Sequence, residues 1–341
     1  MLVRFLASLT LALLLATGAA ARPLVVILAD PRGTVATDLL APYAILADSG
    51  AVEVKIASPT SAPVRLTPGQ AWAAPQMTLD ELARAYPQGP DAVIVPALSV
   101  EDDPDRAAWL RAQLRSGARI MSICNGAKAL ASAGLLEGRQ ATIHWYSLGR
   151  MEKRYPDVAW RHDQRWVTDG PITTTAGISA AEPAALHLLG ELAGQDVMLA
   201  TAQRLGLPAP DQRHRGEDYR LTLKGALTVV ANRLAFWRRE KVAVPLTPGM
   251  DELAFGEAID GWSRTYLSTA WASGPASVTT RRGLVIYRGR ELPDHFDRTV
   301  ELPDRAVAET TFKQIGGAYG DRTGRFVALQ FEHPYGAVTA W

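Results

Sequence analysis

Cysteine is almost missing from this chain. Cys124 is the single one in 341 residues, which excludes an internal disulfide and a zinc site built on thiolates. No sign of charge dominates. Lys+Arg number 36 and Asp+Glu 35, a formal net charge of +1, so no bulk basic field exists to hold nucleic acid or an anionic surface. The six histidines lack the H-E-x-x-H spacing of a metal site, and no G-x-G-x-x-G or Walker-type loop is present. Neither a metal nor any other cofactor is therefore expected. What remains, 48% apolar and 21% charged, is the composition of a globular protein long enough for two cores.

The start of the chain carries its own signal. Met1 to Arg4 holds one positive charge, Phe5 to Gly18 is apolar, and Ala19-Ala20-Ala21 offers small residues. That order predicts a cleaved export signal over 1–21, placing the mature chain in the periplasm or outside the cell. The alternative is an uncleaved anchor. The apolar run is shorter than the ~20 residues a bilayer span needs, so no stable span is expected after cleavage.

Residues 22–203 alternate between buried-strand and helix patterns. PLVVILAD (23–30), VEVKIAS (52–58), DAVIVPA (91–97), ARIMSI (118–123) and ITTTAG (172–177) read as strands. Residues 36–48, 79–86, 104–116, 126–134 and 180–193 read as helices. Strands apolar on both faces, separated by helices, predict an α/β fold: a flavodoxin-like, mostly parallel sheet covered on both faces. Such sheets bind ligands beyond the carboxyl ends of their strands.

Beyond one such end stands Cys124-Asn125-Gly126, followed by a helix. A nucleophile on a sharp strand-to-helix turn is held exposed at a helix N-terminus, where partial positive charge favours thiolate and free N–H groups can hold an oxyanion. A small buried hydrophobe explains the same residue equally well.

These residues resemble the ThiJ/PfpI family of the class I glutamine-amidotransferase-like superfamily. RIMSICNGAKALASAGLLEGRQATIHW (119–145) is similar to the family's strand, Cys-x-Gly turn and helix, with Ala133-Gly134-Leu135-Leu136, Gly138, Ala141-Thr142 and His144-Trp145 in register. TTAGISAA (174–181) and TDLLAPYAIL (37–46) resemble its later turn and its first helix. The resemblance spans about 23–200 and implies that Asp38 faces Cys124, as in the isocyanide-hydratase-like branch and the related domains of AraC-type regulators. A carboxyl there should share a proton with the thiol and titrate jointly with it. The bland reading of Asp38 is a charge complementing a helix dipole.

The resemblance further implies a pocket wall from Asn125, Gly126, Ala97, His144, Gly177 and Ile178, and a homodimer as an arrangement many members use. His144 reads equally as a hydrogen-bonded core residue beside Trp145. Two departures stand out. Asn125 replaces the His that follows the cysteine in peptidase-like members, and Pro96-Ala97-Leu98 replaces Pro-Gly-Gly.

The second half reads less clearly. Residues 204–218 are polar and read as a linker, and 219–341 as a C-terminal α+β region of no identified family. Residues 219–240 form a helical pattern with the stripe Leu221, Leu223, Ala226, Leu227, Val230, Leu234 and Trp237, closed by Arg238, Arg239 and Lys241. Core packing is the common use of such a stripe, and a membrane surface the alternative. Residues 245–267 read as helical, 278–292 as two strands, and 310–333 as a strand after a Gly-rich loop. With an export signal and a strand-rich end, DNA is not the expected partner; a small molecule is.

Two functions follow. One is a cysteine-dependent hydratase or hydrolase acting on a small electrophile through Cys124, with Asp38 as proton shuttle. The other is a non-catalytic module that binds a small molecule or senses oxidation at Cys124.

Overall fold

The computed structural model describes residues 21–303 and 308–340; the predicted leader, apart from Ala21, lies outside the described residues. The first half is built on a seven-stranded sheet. Its strands are β1 (Leu24–Leu28), β2 (Glu53–Ser58), β3 (Met77–Thr78), β4 (Ala92–Val95), β5 (Arg119–Ser122), β6 (Trp166–Asp169) and β7 (Ile172–Thr175), in the order β6-β7-β5-β4-β1-β2-β3. All neighbours are parallel except β6 and β7. Every residue of β1 and β4 is buried, as expected of strands covered on both faces.

Each face of the sheet has its own helices. The side chains of Val93, Val95 and Ile120 pack with α3 (Pro104–Arg115) and α4 (Ala127–Ser132). Those of Val25, Ile27, Ile94 and Met121 pack with α1 (Ala36–Ser49) and α6 (Ala181–Ala193). The helix starts carry local reasons. At α3, Asp103 accepts from Arg106 N and Pro104 occupies the first turn, where a missing N–H costs nothing. At α2 (Leu79–Ala85), Thr78 and Glu81 form a reciprocal capping box. Two further helices, α5 (Trp145–Arg154) and α7 (Gln195–Leu205), lie in segments the sequence pattern left without an element.

The second half packs onto the first through one continuous core. Strands β8 (Glu240–Pro245) and β9 (Ser268–Ser273) are parallel, joined by α9 (Glu252–Ser263), with Arg298–Thr299 as a third strand. Helix α9 lies on α1 so closely that a Cβ on Gly256 would meet Leu40 Cβ at 3.2 Å, and Thr37 Oγ1 donates to Gly256 O at 3.2 Å. The hairpin Ser277–Thr279/Val285–Arg288 pairs with strand Ala71–Ala73 of the first half. Buried Arg282 ties the hairpin down, reaching Asp48 at 3.1 Å, Asp251 at 2.9 Å and Glu252 at 2.7 Å.

Two expectations fail here. Residues 310–333 are not a strand but two helices, α10 (Ala308–Tyr319) and α11 (Asp321–Phe331). Phe312, Ile315, Val327 and Phe331 recur at helical spacing and fill the core. The helix expected over 219–240 is the shorter α8 (Leu223–Leu234), and its apolar stripe is turned away from the core: Leu223, Leu227, Val230 and Leu234 are all exposed.

Candidate active site at the Cys124 bend

Strand β5 ends when Ile123 N donates to Val95 O at 2.9 Å, and the chain then turns sharply through Cys124–Gly126 into α4. Cys124 takes the turn at φ 55. A side chain held in that left-handed region costs about 1–2 kcal/mol. Two partners fix it. Cys124 N donates to Thr175 Oγ1 at 3.1 Å on neighbouring β7. Gly126 lets the bend press against β4, since a Cβ there would lie 2.0 Å from Val95 O.

Asp38, in the first turn of α1, is wholly buried. Its Oδ2 accepts from Ala97 N at 3.1 Å, and Ala97 O accepts from Val35 N at 2.9 Å, so the loop after β4 is stitched to the start of α1. The Cys124 thiol is near enough to act on the carboxyl as a hydrogen-bond donor, although Oδ1 has no partner at ordinary hydrogen-bond geometry. The fold thus brings Asp38 and Cys124 within reach of each other. A second charged pair comes from the C-terminal half. Asp260 on α9 accepts from Arg264 Nε at 2.5 Å, and both charges are felt by Asp38 and, in the case of Arg264, by Cys124.

The electrostatics correct one expectation. Burial pushes the Cys124 thiol well above its usual value, and the Asp38 charge adds to this; Arg264 and the Asn125 N–H draw it back only in part. The helix N-terminus therefore does not yield a resting thiolate, because a fully desolvated sulfur loses more than the turn returns. Asp38 is also held well above the ordinary carboxylate range. Burial is the main cause and the Asp260 charge the next, while the cysteine itself works in the opposite direction as a donor.

The remaining predicted residues divide. The Asn125 N–H is directed at the sulfur, and its side-chain Oδ1 is buried without a hydrogen-bond partner. Ala97 is at the site, but its N–H is committed to Asp38 rather than free for an oxyanion. Gly177 faces the end of α11: a Cβ on it would meet Glu332 Cβ at 2.6 Å. Ile178 is buried and lines, with Thr37, a cavity of about 460 Å³. His144 caps α5, accepting from Tyr146 N at 3.2 Å through Nδ1, while Nε2 stands 2.8 Å from Gln330 O. Those partners assign the proton to Nε2 and give His144 the character of a satisfied core residue.

Sequence reasoning missed Glu332, His214, Asp260 and Arg264. Glu332 follows α11 at φ 55; its carboxyl accepts from Trp145 N at 2.5 Å and meets His214 Nε2 at 3.1 Å. Ser179 Oγ donates to its carbonyl at 2.7 Å. This corner closes over the Gly177–Ile178 turn, and Cys124 is only 3% exposed. Nothing in the local sequence marks Glu332 or His214; Asp260 and Arg264 are hinted at only by their i,i+4 spacing.

The profile of the DJ-1/PfpI family matches residues 24–191. Isonitrile hydratase of Pseudomonas putida is 30% identical over 183 residues, which cover 51% of this chain and 74% of that enzyme. The chain belongs to the DJ-1/PfpI family. Several other relatives are transcriptional regulators. The HTH-type transcriptional regulator CdhR of Pseudomonas aeruginosa is 32% identical over 114 residues, 33% of this chain. The chain spans only 34% of that regulator's length. Among solved structures, DJ-1beta of Drosophila melanogaster aligns with a TM-score of 0.49 and 21% identity, over 55% of this chain and 98% of its own.

Proposed function

We propose that this DJ-1/PfpI chain is an exported, cysteine-dependent hydratase or hydrolase of a small electrophilic molecule, with Cys124 as nucleophile and Asp38 as proton shuttle. The observation that carries the reading is a thiol held in a strained bend against a buried carboxyl with spare hydrogen-bonding capacity. The similarity to isonitrile hydratase supports an isonitrile carbon as the electrophile. The sulfur adds to that carbon while its proton passes by way of Asp38 to the developing anion. Water then adds to the same carbon, sulfur leaves, and Asp38 returns a proton to restore the thiol. An N-substituted formamide is the product. A resting thiol and a protonatable carboxyl suit this exchange, since the proton moves only when substrate arrives.

A specific observation favours the second reading, a non-catalytic binding or oxidation-sensing module: Cys124 is only 3% exposed. Incubating the protein with a short alkyl isonitrile and following formamide separates the two. Turnover lost in Cys124→Ser and Asp38→Asn is expected; equal rates in all three proteins would sink the enzymatic reading.

A further inference from the structure

Helix α8 is mounted inside out. Its buried residues are Gly225, Thr228 and Asn232, a small and polar row at spacings of three and four. Asn232 Nδ2 donates to Thr265 O at 2.9 Å and to Thr323 Oγ1 at 3.2 Å, so the helix is held to the body by hydrogen bonds. The opposite row displays Leu223 at 78% exposure, Leu227 at 59%, Val230 at 52% and Leu234 at 65%, continued by Phe236 and by Trp237 at 71%. At about 100° per residue the two rows lie on opposite sides of the helix. Lys224 and Arg233 then flank the apolar row on either side.

Charge says what this face meets. Between Arg220 and Lys241 stand six exposed cations: Arg220, Lys224, Arg233, Arg238, Arg239 and Lys241. The single acid of that stretch, Glu240, is already engaged by Arg298 and Tyr319. The whole chain carries only +1, so this stretch, with six cations and one acid, is a local excess of positive charge on an otherwise slightly acidic chain. A second copy meeting the same face across a two-fold axis would set these cations against their duplicates. Nucleic acid would leave the leucines without a partner. Apolar side chains along one side, cations at the flanks and a Trp at the end are the features of a helix lying in the plane of a bilayer. Among the described residues no helix is long and apolar enough to cross one.

We infer that α8 and the turn after it form a docking face for an anionic lipid surface, lying in its headgroup region with Leu223, Leu227, Leu234 and Trp237 inserted. Sedimentation of the full chain with vesicles tests this. Wild type should pellet with equal parts phosphatidylcholine and phosphatidylglycerol, less so as salt is raised, and at least about a hundredfold less with phosphatidylcholine alone. Leu227→Gln/Leu234→Gln/Trp237→Ser should stay in the supernatant. These side chains are exposed, so its thermal unfolding should match wild type. Arg238→Ala/Arg239→Ala should bind about tenfold more weakly.

Both variants retain residues 1–21, so pelleting equal to wild type would assign membrane binding to the leader and overturn the inference. Equal pelleting with both vesicle types would overturn it too. So would a triple variant that turns a dimer into a monomer while wild type ignores vesicles, since the face would then belong to a second copy.

Discussion

The Glu332 carboxyl and the His214 imidazole meet at 3.1 Å, and both side chains are buried. One follows the last long helix, the other lies in a stretch the sequence presents as a polar linker, and together they close the corner above Gly177. Burial alone would raise the Glu332 carboxyl; His214, His144 and the Trp145 N–H outweigh it and hold the group below its ordinary value. The native protein thus binds fewer protons there than the unfolded chain, whose carboxyl titrates near ~4.3. The stability this contributes is present above that value and lost as pH falls through the lowered one. Removing the Glu332 carboxyl leaves the Trp145 N–H and the buried His214 ring without their acceptor, a loss of about 1–3 kcal/mol. Glu332→Ala should therefore lower the urea midpoint by that measure, and should speed alkylation of Cys124 by uncovering it. An unchanged alkylation rate would mean that this corner is not the cover.

Asp38 keeps the thiol hard to ionise. Its charge adds to the burial that raises Cys124, so Asp38→Asn should shift the pH midpoint of iodoacetamide labelling downward. The carboxyl contributes less than burial, so labelling should still require more alkaline pH than a model thiol near ~8.5. A midpoint that stays in place in the variant would show that the two groups do not share a field.

Gly126 is irreplaceable for a reason of space rather than of φ. An added methyl would lie 2.0 Å from Val95 O, and backbone cannot step aside cheaply. Gly126→Ala should cost about 3 kcal/mol, read as a lower unfolding temperature, with the Cys124 bend displaced from β4. Gly117, with nothing near its Cβ position, is no equivalent control, since its φ of 98 is itself strained for Ala. Gly149→Ala is the better one: it lies within α5 with open space around it, and it should be neutral or slightly stabilising.

Glu182 and Glu257 face each other across the cavity wall between α6 and α9. Burial raises both carboxyls, and the Glu182 charge raises Glu257 further. The native pair therefore holds a proton that the unfolded chain gives up near ~4.3. Its effect on stability has the opposite sign to that of Glu332: stability declines as pH rises from that value through the raised one. Glu257→Gln, which needs no charge, should raise stability at neutral pH by about 1 kcal/mol or more and flatten this decline. Denaturant titrations at pH 4 and 7 read the difference, and a variant less stable at both would refute it.

The first half was legible because its signals are short-range. Runs such as LVVIL and AVIV are apolar throughout, so they can only be buried strands or short core helices, and flanking turn residues decide. The Cys-x-Gly bend follows from a strand running directly into a helix. Asp38 was legible through family resemblance, since nothing in its spacing links residue 38 to residue 124. The end of the chain misled. RFVALQF alternates enough to pass for a strand, yet Phe326, Val327, Leu329 and Phe331 are buried around a helix packed on Phe312. The stripe of α8 misled in a different way: its spacing was read correctly, but which side a helix turns to the body depends on partners such as Thr265 and Thr323, far away in sequence.

Halves joined in this manner do not come apart by being cut. The exposed stretch around Pro208 to Arg213 is the natural place for a protease to nick. Yet the hairpin near Arg282 would remain woven into the strand at Trp72, and α9 would remain clamped on α1. Two fragments on a denaturing gel would travel as one particle in a sizing column. Cys124 and Asp38 would keep the charged neighbours that reach them from the far side of the break.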